Sequence, residues 1–295
     1  MKVYKLFVYL LIAVSFLMLF ACGSGGGGSD GTGELSIHLT DAKPLLPEGA
    51  TNLTVTLSEI LVHKSGGGWI SLPLTEDPPH IIDLLQFTGG NTTEIVPPVL
   101  LEHGKYTQIR LVIDEKEGAK IKFRDDPNQY QLEIRPEHLK TDTNFSFDLE
   151  IGGAKDIVID FDLSRSLIVT DNGSGTLSYQ LKPVLHTVDF WEAATITGTI
   201  ADTSFSSPNA IITVFDTNNE VYTKLTVEKD NPNDVGFSIF WLVPNQNYRV
   251  EIDLNPNLEN GLALIQEGNA EFREDVNAAD LDPGEVWVLN KNDPI

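Results

Sequence analysis

The sequence predicts a mostly β protein, organised as two β-sandwich domains behind an export signal and a glycine-rich tether. Three features predict it: apolar and polar residues alternate with period two in segment after segment, short Gly- and Asn-containing connectors separate those segments, and helical periodicity is scarce. The chain has 295 residues, and what remains after the tether suits two ordinary domains.

The first residues read as an export signal. Met1 to Lys5 hold two lysines, and Leu6 to Phe20 then run apolar apart from Ser15. That run falls short of the ~20 apolar residues a membrane-spanning helix needs. Residues 1–21 are therefore expected to be a cleaved signal. The one cysteine of the chain, Cys22, follows directly after Leu19-Phe20-Ala21. Residues 22–33 then form the tether, because GSGGGGSDGTG has no apolar area to bury.

The segment ending at Cys22 resembles a bacterial lipobox. Leu19, Ala21 and Cys22 match the pattern, and Phe20 departs from it. The resemblance implies a diacylglycerol thioether and an N-acyl chain on Cys22, hence membrane attachment through a lipid anchor. Each buried methylene contributes about 0.8 kcal/mol, and more than one acyl chain makes such an anchor durable. In the resembling lipoproteins an Asp after the cysteine marks inner-membrane retention. Gly23 stands there instead, which points to the outer membrane or cell surface.

The formal charge is −23, from 20 basic and 43 acidic residues. Loss of Lys2 and Lys5 with the signal makes the mature chain more negative still. Anionic phosphates are repelled over a Debye length of roughly 8 Å, so nucleic acid is excluded as a partner. A glycan or an envelope protein fits better.

The first domain, residues 34–190, opens with Leu35, Ile37 and Leu39 alternating with Glu34, Ser36 and His38. YTQIRLVID and DIVIDFDL repeat the pattern. In NLTVTLSEILVHK the apolar set shifts from Leu53, Val55 and Leu57 to Ile60 and Val62, which predicts a β-bulge near Ser58-Glu59. DLLQF and RPEHLK are expected to make a helical turn or two. The second domain, residues 191–295, begins after Trp191 with TITGTI and continues through AIITVFD, VYTKLTVE, GFSIFWL, YRVEIDL and EVWVLN. Asn257 to Asp282 is less periodic and reads as a long insertion with short helix.

The motifs LSIHLTDA, LSEILVHKSGGGWISL, IIDLLQF, GKYTQIRLVID, DFDLSRSLIV and YQLKPVL, in that order between Gly33 and Phe190, resemble the prokaryotic family called domain of unknown function 4382. That resemblance implies placement in a lipoprotein family and no chemistry. The second domain resembles transthyretin-like carboxypeptidase-regulatory and carbohydrate-binding-like modules through ITGTI, DVGFSIFWL and VPNQNYRVEI, with Val235 interrupting their Asp-Gly pair.

Catalytic motifs are weak. The Gly-Gly-Ser-Asp-Gly and glycine-fingerprint matches fall in the tether, where no strand–turn–helix surrounds them. His38, His63, His80, His103, His138 and His186 show no metal-ligand spacing. Alternation puts Asp160, Asp162 and Ser164 on one strand face, expected to be solvated, and Arg165 occupies the position where a calcium hand needs Gly. Trp69 and Trp241 lie in apolar strand patterns and are expected in the core, and Trp191 is expected to seal the domain junction. Trp69, Trp191, Trp241 and Trp287 together could instead stack on sugars.

No enzyme is expected. The leading expectation is a non-catalytic binding or structural role, the second a carbohydrate-binding module, and the third a hydrolase with an acidic pair such as Asp114 and Asp160. No cofactor is expected; the oxygen-rich loop Asp230, Asn231, Asn233 and Asp234 reads as a plain acidic turn, with a calcium site as the alternative. Such an ion would stabilise by roughly 2.7 kcal/mol at a hundredfold excess over its Kd. Thermal melts with calcium and with magnesium at equal ionic strength check this. A calcium site would give a calcium-specific rise in Tm, lost on D230A with D234A, whereas equal rises with both ions would reduce it to charge screening.

Overall fold

The computed structural model describes residues 31–41, 46–47, 49–134, 138–141, 145–171, 177–256, 258–259, 262–263, 272–277 and 281–289. The signal at 1–21, Cys22 and all of the tether before Gly31 lie outside the described residues. The fold is mostly β, with 61% of the described residues in strand and 5% in helix.

The first half of the chain carries β1 (Thr32–Thr40), β2 (Ala50–Lys64), β3 (Trp69–Leu72), β4 (His80–Asp83), β5 (Thr93–Glu102), β6 (Gly104–Ile113) and β7 (Ala119–Phe123). β8 (Gln129–Ile134), β9 (His138–Lys140), β10 (Phe147–Leu149) and β11 (Ala154–Phe161) follow. After the one-turn helix α1 (Leu163–Ser166) come β12 (Leu167–Asp171), β13 (Leu177–Leu181) and β14 (Leu185–Asp189). DLLQF does make its turn, a 3-10 helix over Leu84–Gln86. The helix expected in RPEHLK is replaced over His138–Lys140 by β9, because the free edge of β6 supplies backbone partners at Arg110 to Val112 and tertiary pairing overrides local propensity.

Two sheets face each other across the first core. One is four-stranded in the order β14-β11-β1-β5, with β1 parallel to β11 and antiparallel to β5. Its β5 edge carries Pro97 and Pro98, which lack the donors that would recruit another strand. The other sheet is built on the fifteen-residue β2, flanked by β6 and β7 in line on one side and by β3 and β4 in line on the other. The register of β2 against β6 slips between Leu57 and Glu59, so the phase change of the apolar residues does mark a bulge. Both phases point inward: Leu53, Val55, Leu57, Ile60 and Val62 are buried in one cluster with Leu35, Ile37, Leu39, Ile157 and Ile159.

The remaining strands are β15 (Ala194–Ile200), β16 (Asn209–Phe215), β17 (Val221–Glu228), β18 (Val235–Leu242), β19 (Tyr248–Asp253), β20 (Leu258–Glu259), β21 (Leu262–Ala263), β22 (Phe272–Val276) and β23 (Val286–Val288). A three-stranded sheet, β18-β15-β23, packs on a four-stranded one, β17-β16-β19-β22. Between them Ile196, Ile212, Val214, Ile239, Leu242, Val250 and Ile252 form a second core cluster that shares no residue with the first. Much of Asn257 to Asp282 lies outside the described residues. Within it FREDV forms β22 on the free edge of β19, so a strand stands where the lack of alternation suggests an insertion.

Gly198 in β15 lies directly against the Phe237 ring of the second core. A Cβ there would stand 2.4 Å from Phe237 Cζ and 2.7 Å from its Cε1. G198A is therefore expected to destabilise by about 1–3 kcal/mol through overpacking. Urea melts check this, and an unchanged midpoint would show that the Phe237 ring relocates freely.

Candidate functional site

Strand register decides which side chains meet where the two halves of the chain touch. Side chains paired across neighbouring strands share a face, so Ser36, His38 and Thr40 of β1 lie beside Asp156, Val158 and Asp160 of β11. His186 and Val188 of β14 extend the same row. This is the face opposite the first core. Val158 and Val188 are nevertheless buried, although neither belongs to that core cluster. The second domain covers them: Phe190 packs on Trp241 at 5.1 Å between ring centroids, His186 stacks on Tyr222 at 4.0 Å, and Arg165 Nη1 donates to the Tyr222 carbonyl at 3.0 Å.

Docking therefore buries a polar layer. Asp41 is 1% exposed, Asp160 6% and Asp162 0%, with Ser166 also buried beside them. This corrects the expectation of a solvated face. Alternation places Asp160 correctly, but the strand ends at Phe161, so Asp162 caps α1 and Ser164 lies within it, and alternation cannot reveal that another domain is laid on the face. Asp41 Oδ1 accepts from the Leu163 amide at 2.9 Å, and Asp162 Oδ1 accepts from Ser164 Oγ at 2.5 Å. His186 Nε2 lies 3.8 Å from Asp162 Oδ2. The Asp41 carboxyl is pushed well above its ordinary range, first by burial and then by the charges of Asp160 and Asp162. Burial likewise lowers the Lys224 ammonium, against the opposing pull of Asp162. Burial also drives the Tyr222 hydroxyl well up.

Beside this layer a cleft of about 1400 Å3 opens between the β14 edge of one sheet, β10 of the other, and the second-domain loops around Asn218 and Asn245. Lys155 lies on its wall and bonds Asp189 Oδ2 at 2.6 Å and Glu192 Oε1 at 3.5 Å. These partners hold the Lys155 ammonium above its usual value, the Asp189 bond contributing most. Carboxylates outnumber cations around the cleft, through Asp148, Glu150, Asp189, Glu192, Asp216 and Glu220.

The other sequence-predicted residues fall as follows. Asp114 caps the connection from β6 to β7 by accepting the Lys116 and Glu117 amides, which lowers its carboxyl. It is in the opposite sheet from Asp160. In the loop read as an acidic turn or calcium site, Asp234 Oδ1 accepts the Asp202 amide at 3.0 Å and Asp230 Oδ2 accepts from Asn233 Nδ2 at 3.3 Å. Among the described residues no group of three or more His, Cys, Asp or Glu gathers to hold a metal.

The tryptophans depart from expectation. Trp69 and Trp241 are only half-buried, Trp69 under the Arg110 guanidinium at 3.9 Å and Trp241 with its ring on Phe190. Trp191 does not seal the junction. It is 71% exposed, and Phe190, one residue earlier, occupies the place expected for it. The sequence signal for this is present in the phase of β14, where Val188 and Phe190 share a face and Trp191 falls out of it.

A mostly β protein of two sandwiches, joined through a buried polar face and with no metal-holding cluster among its described residues, is what these observations define. The chain belongs to the family described as Domain of unknown function (DUF4382), whose model matches residues 32–183. No curated protein matches it. Among solved structures it is similar to the Bacillus anthracis TIE protein at 12% identity and a TM-score of 0.20, covering 87% of this chain and 33% of that one. The chain thus spans about a third of the TIE protein. It is also similar to the fimbrial anchor protein Mfa2 from Porphyromonas gingivalis at 10% identity and TM-score 0.20, covering 84% of each chain. The shaft pilin spaA from Lactobacillus rhamnosus GG follows at 9% identity and TM-score 0.22, with 87% of this chain and 96% of that one covered. Scores this low transfer neither topology nor function.

The Asp41 carboxyl sets a pH dependence. Its proton is held more tightly in the folded than in the unfolded chain, so the folded state is favoured at acid pH. That contribution is lost as pH rises from the unfolded value through the folded one. D41N keeps an oxygen for the Leu163 amide and removes the charge. It is expected to raise stability at pH 8 by about 1–3 kcal/mol, the cost of an unpaired buried polar group, with little effect near pH 4. Thermal melts across that range check it, and parallel curves for the two proteins would refute it.

Proposed function

We propose that this chain is a lipid-anchored envelope protein, exposed at the outer membrane or cell surface, whose β domains bind or support other envelope components without catalysis. The observation that carries the reading is the order of its N-terminal segments: an apolar run from Leu6 to Phe20, Cys22, a glycine tether, then a strand that opens at Thr32. An acyl chain on Cys22 fixes the chain to the bilayer, and the tether lets the folded body stand away from it. The absence of catalysis is supported by how the acidic candidates are used, since Asp114 caps a turn and Asp160 is enclosed at the domain junction. The second domain, read as a transthyretin-like accessory sandwich, covers a polar face of the first.

A second reading, carbohydrate binding, is favoured by the acidic, amide-bearing cleft beside the junction and by Trp191. Carboxylates, amides and a bridged lysine are the donors and acceptors that sugar hydroxyls use. The anchor is tested most directly. Mass spectrometry of the mature N-terminus is expected to show a diacylated and N-acylated Cys22 and partition of the chain into detergent, while C22A leaves a soluble or uncleaved chain. An unmodified Cys22, or a cut elsewhere, would remove the anchor.

A further inference from the structure

Trp191 is the most exposed large apolar side chain among the described residues at 71%, and leaving an indole in water forgoes a large burial gain. It does not stand there by looseness. Its ring Nε1–H donates to Asp156 Oδ2 at 2.6 Å, its backbone amide donates to Asp189 Oδ1 at 3.0 Å, and its ring meets Phe190 edge-on at 5.0 Å. Both carboxylates are themselves held, Asp156 by the Ser36 hydroxyl and Asp189 by Lys155. The indole is thus fixed in orientation before any ligand arrives.

The surface beside it is the outer face of the four-stranded sheet. The second domain covers the end of that face near Asp160 and His186 and leaves the end near Glu34 open. There Glu34 is exposed, and Leu100, paired with Glu34 across β1 and β5, is 67% exposed on the same side. From β14 to β5 the sheet spans three strand spacings, about 14 Å. A strip therefore runs from an aromatic plane, past the carboxylates of Asp156 and Glu34, to an aliphatic side chain.

From this geometry we infer that Trp191 is the stacking platform of a binding strip for a neutral, pyranose-containing oligosaccharide. The inference rests on the carbohydrate reading above and names its ligand class and its central residue. A pyranose ring presents an apolar C–H face that matches an immobilised indole, and its hydroxyls donate to carboxylates. The orientation is already fixed, so little side-chain entropy is lost on binding. Among the described residues no cation pairs with Asp156 or Glu34 on this strip, which disfavours uronic acids and phosphate-bearing polymers. Asp156 is a positioning residue, since it acts by holding the indole.

The test titrates the full chain in detergent with cellohexaose, maltohexaose, chitohexaose, polygalacturonate and hexalysine, following tryptophan emission and binding heat. At least one neutral hexasaccharide is expected to bind. W191A should weaken it about tenfold or more, W191F only a few-fold, and D156A to an intermediate degree, with Tm unchanged in W191A and W191F because the ring is exposed. Binding that survives W191A would overturn the strip and leave the carbohydrate reading standing. Failure of every neutral hexasaccharide would overturn both. Equal binding of polygalacturonate or hexalysine would assign the surface to charge and overturn the neutral ligand class.

Discussion

The structure depends on one contact between unlike surfaces: the outer face of a four-stranded sheet, polar by composition, is covered by a second sandwich. A sheet with one wet face needs no partner. This one has a partner, and the cost is the enclosure of Asp41, Asp160 and Asp162 away from water. What offsets that cost is local and specific. The Leu163 amide, Ser164, the His186 ring and the Lys224 cation lie against these carboxyls, while Val158, Val188, Phe190 and Trp241 supply apolar area beside them. Of these polar partners only Lys224 belongs to the second sandwich, so a rotated domain would take from the carboxyls the one cation it contributes.

The same joint explains why the molecule has a large cleft beside a small contact. Two sandwiches meeting along the edges β17 and β18 leave a cleft open where the loops around Asn218 and Asn245 face β14 and β10. That cleft is lined by charges which the two cores reject.

How far the sequence reveals this follows from the range of each interaction. Period-two alternation marks the strands, and the phase shift in β2 locates a bulge to within a residue, because both are consequences of a single strand meeting a single core. DLLQF makes its turn for the same local reason. His138–Lys140 and Phe272–Val276 escape such reasoning, since each is a strand only because a free edge lies next to it. Burial of Asp160 and Asp162 is invisible for a similar reason: alternation says which side chains share a face and is silent about what lies above that face. Trp191 and Phe190 are exchanged by one residue, the smallest error that period two permits and one that reverses inside and outside.

The place of β1 has a mechanical consequence. It is the strand the tether enters, and it is hydrogen-bonded on both sides along its length, parallel to β11 and antiparallel to β5. A pull through the residues before Thr32 runs along the strand axis, so the bonds of both ladders bear the load together and cannot break in sequence from an end. Pulled along this strand, the β body has two ladders to shear, whereas an edge strand pulled the same way would have one.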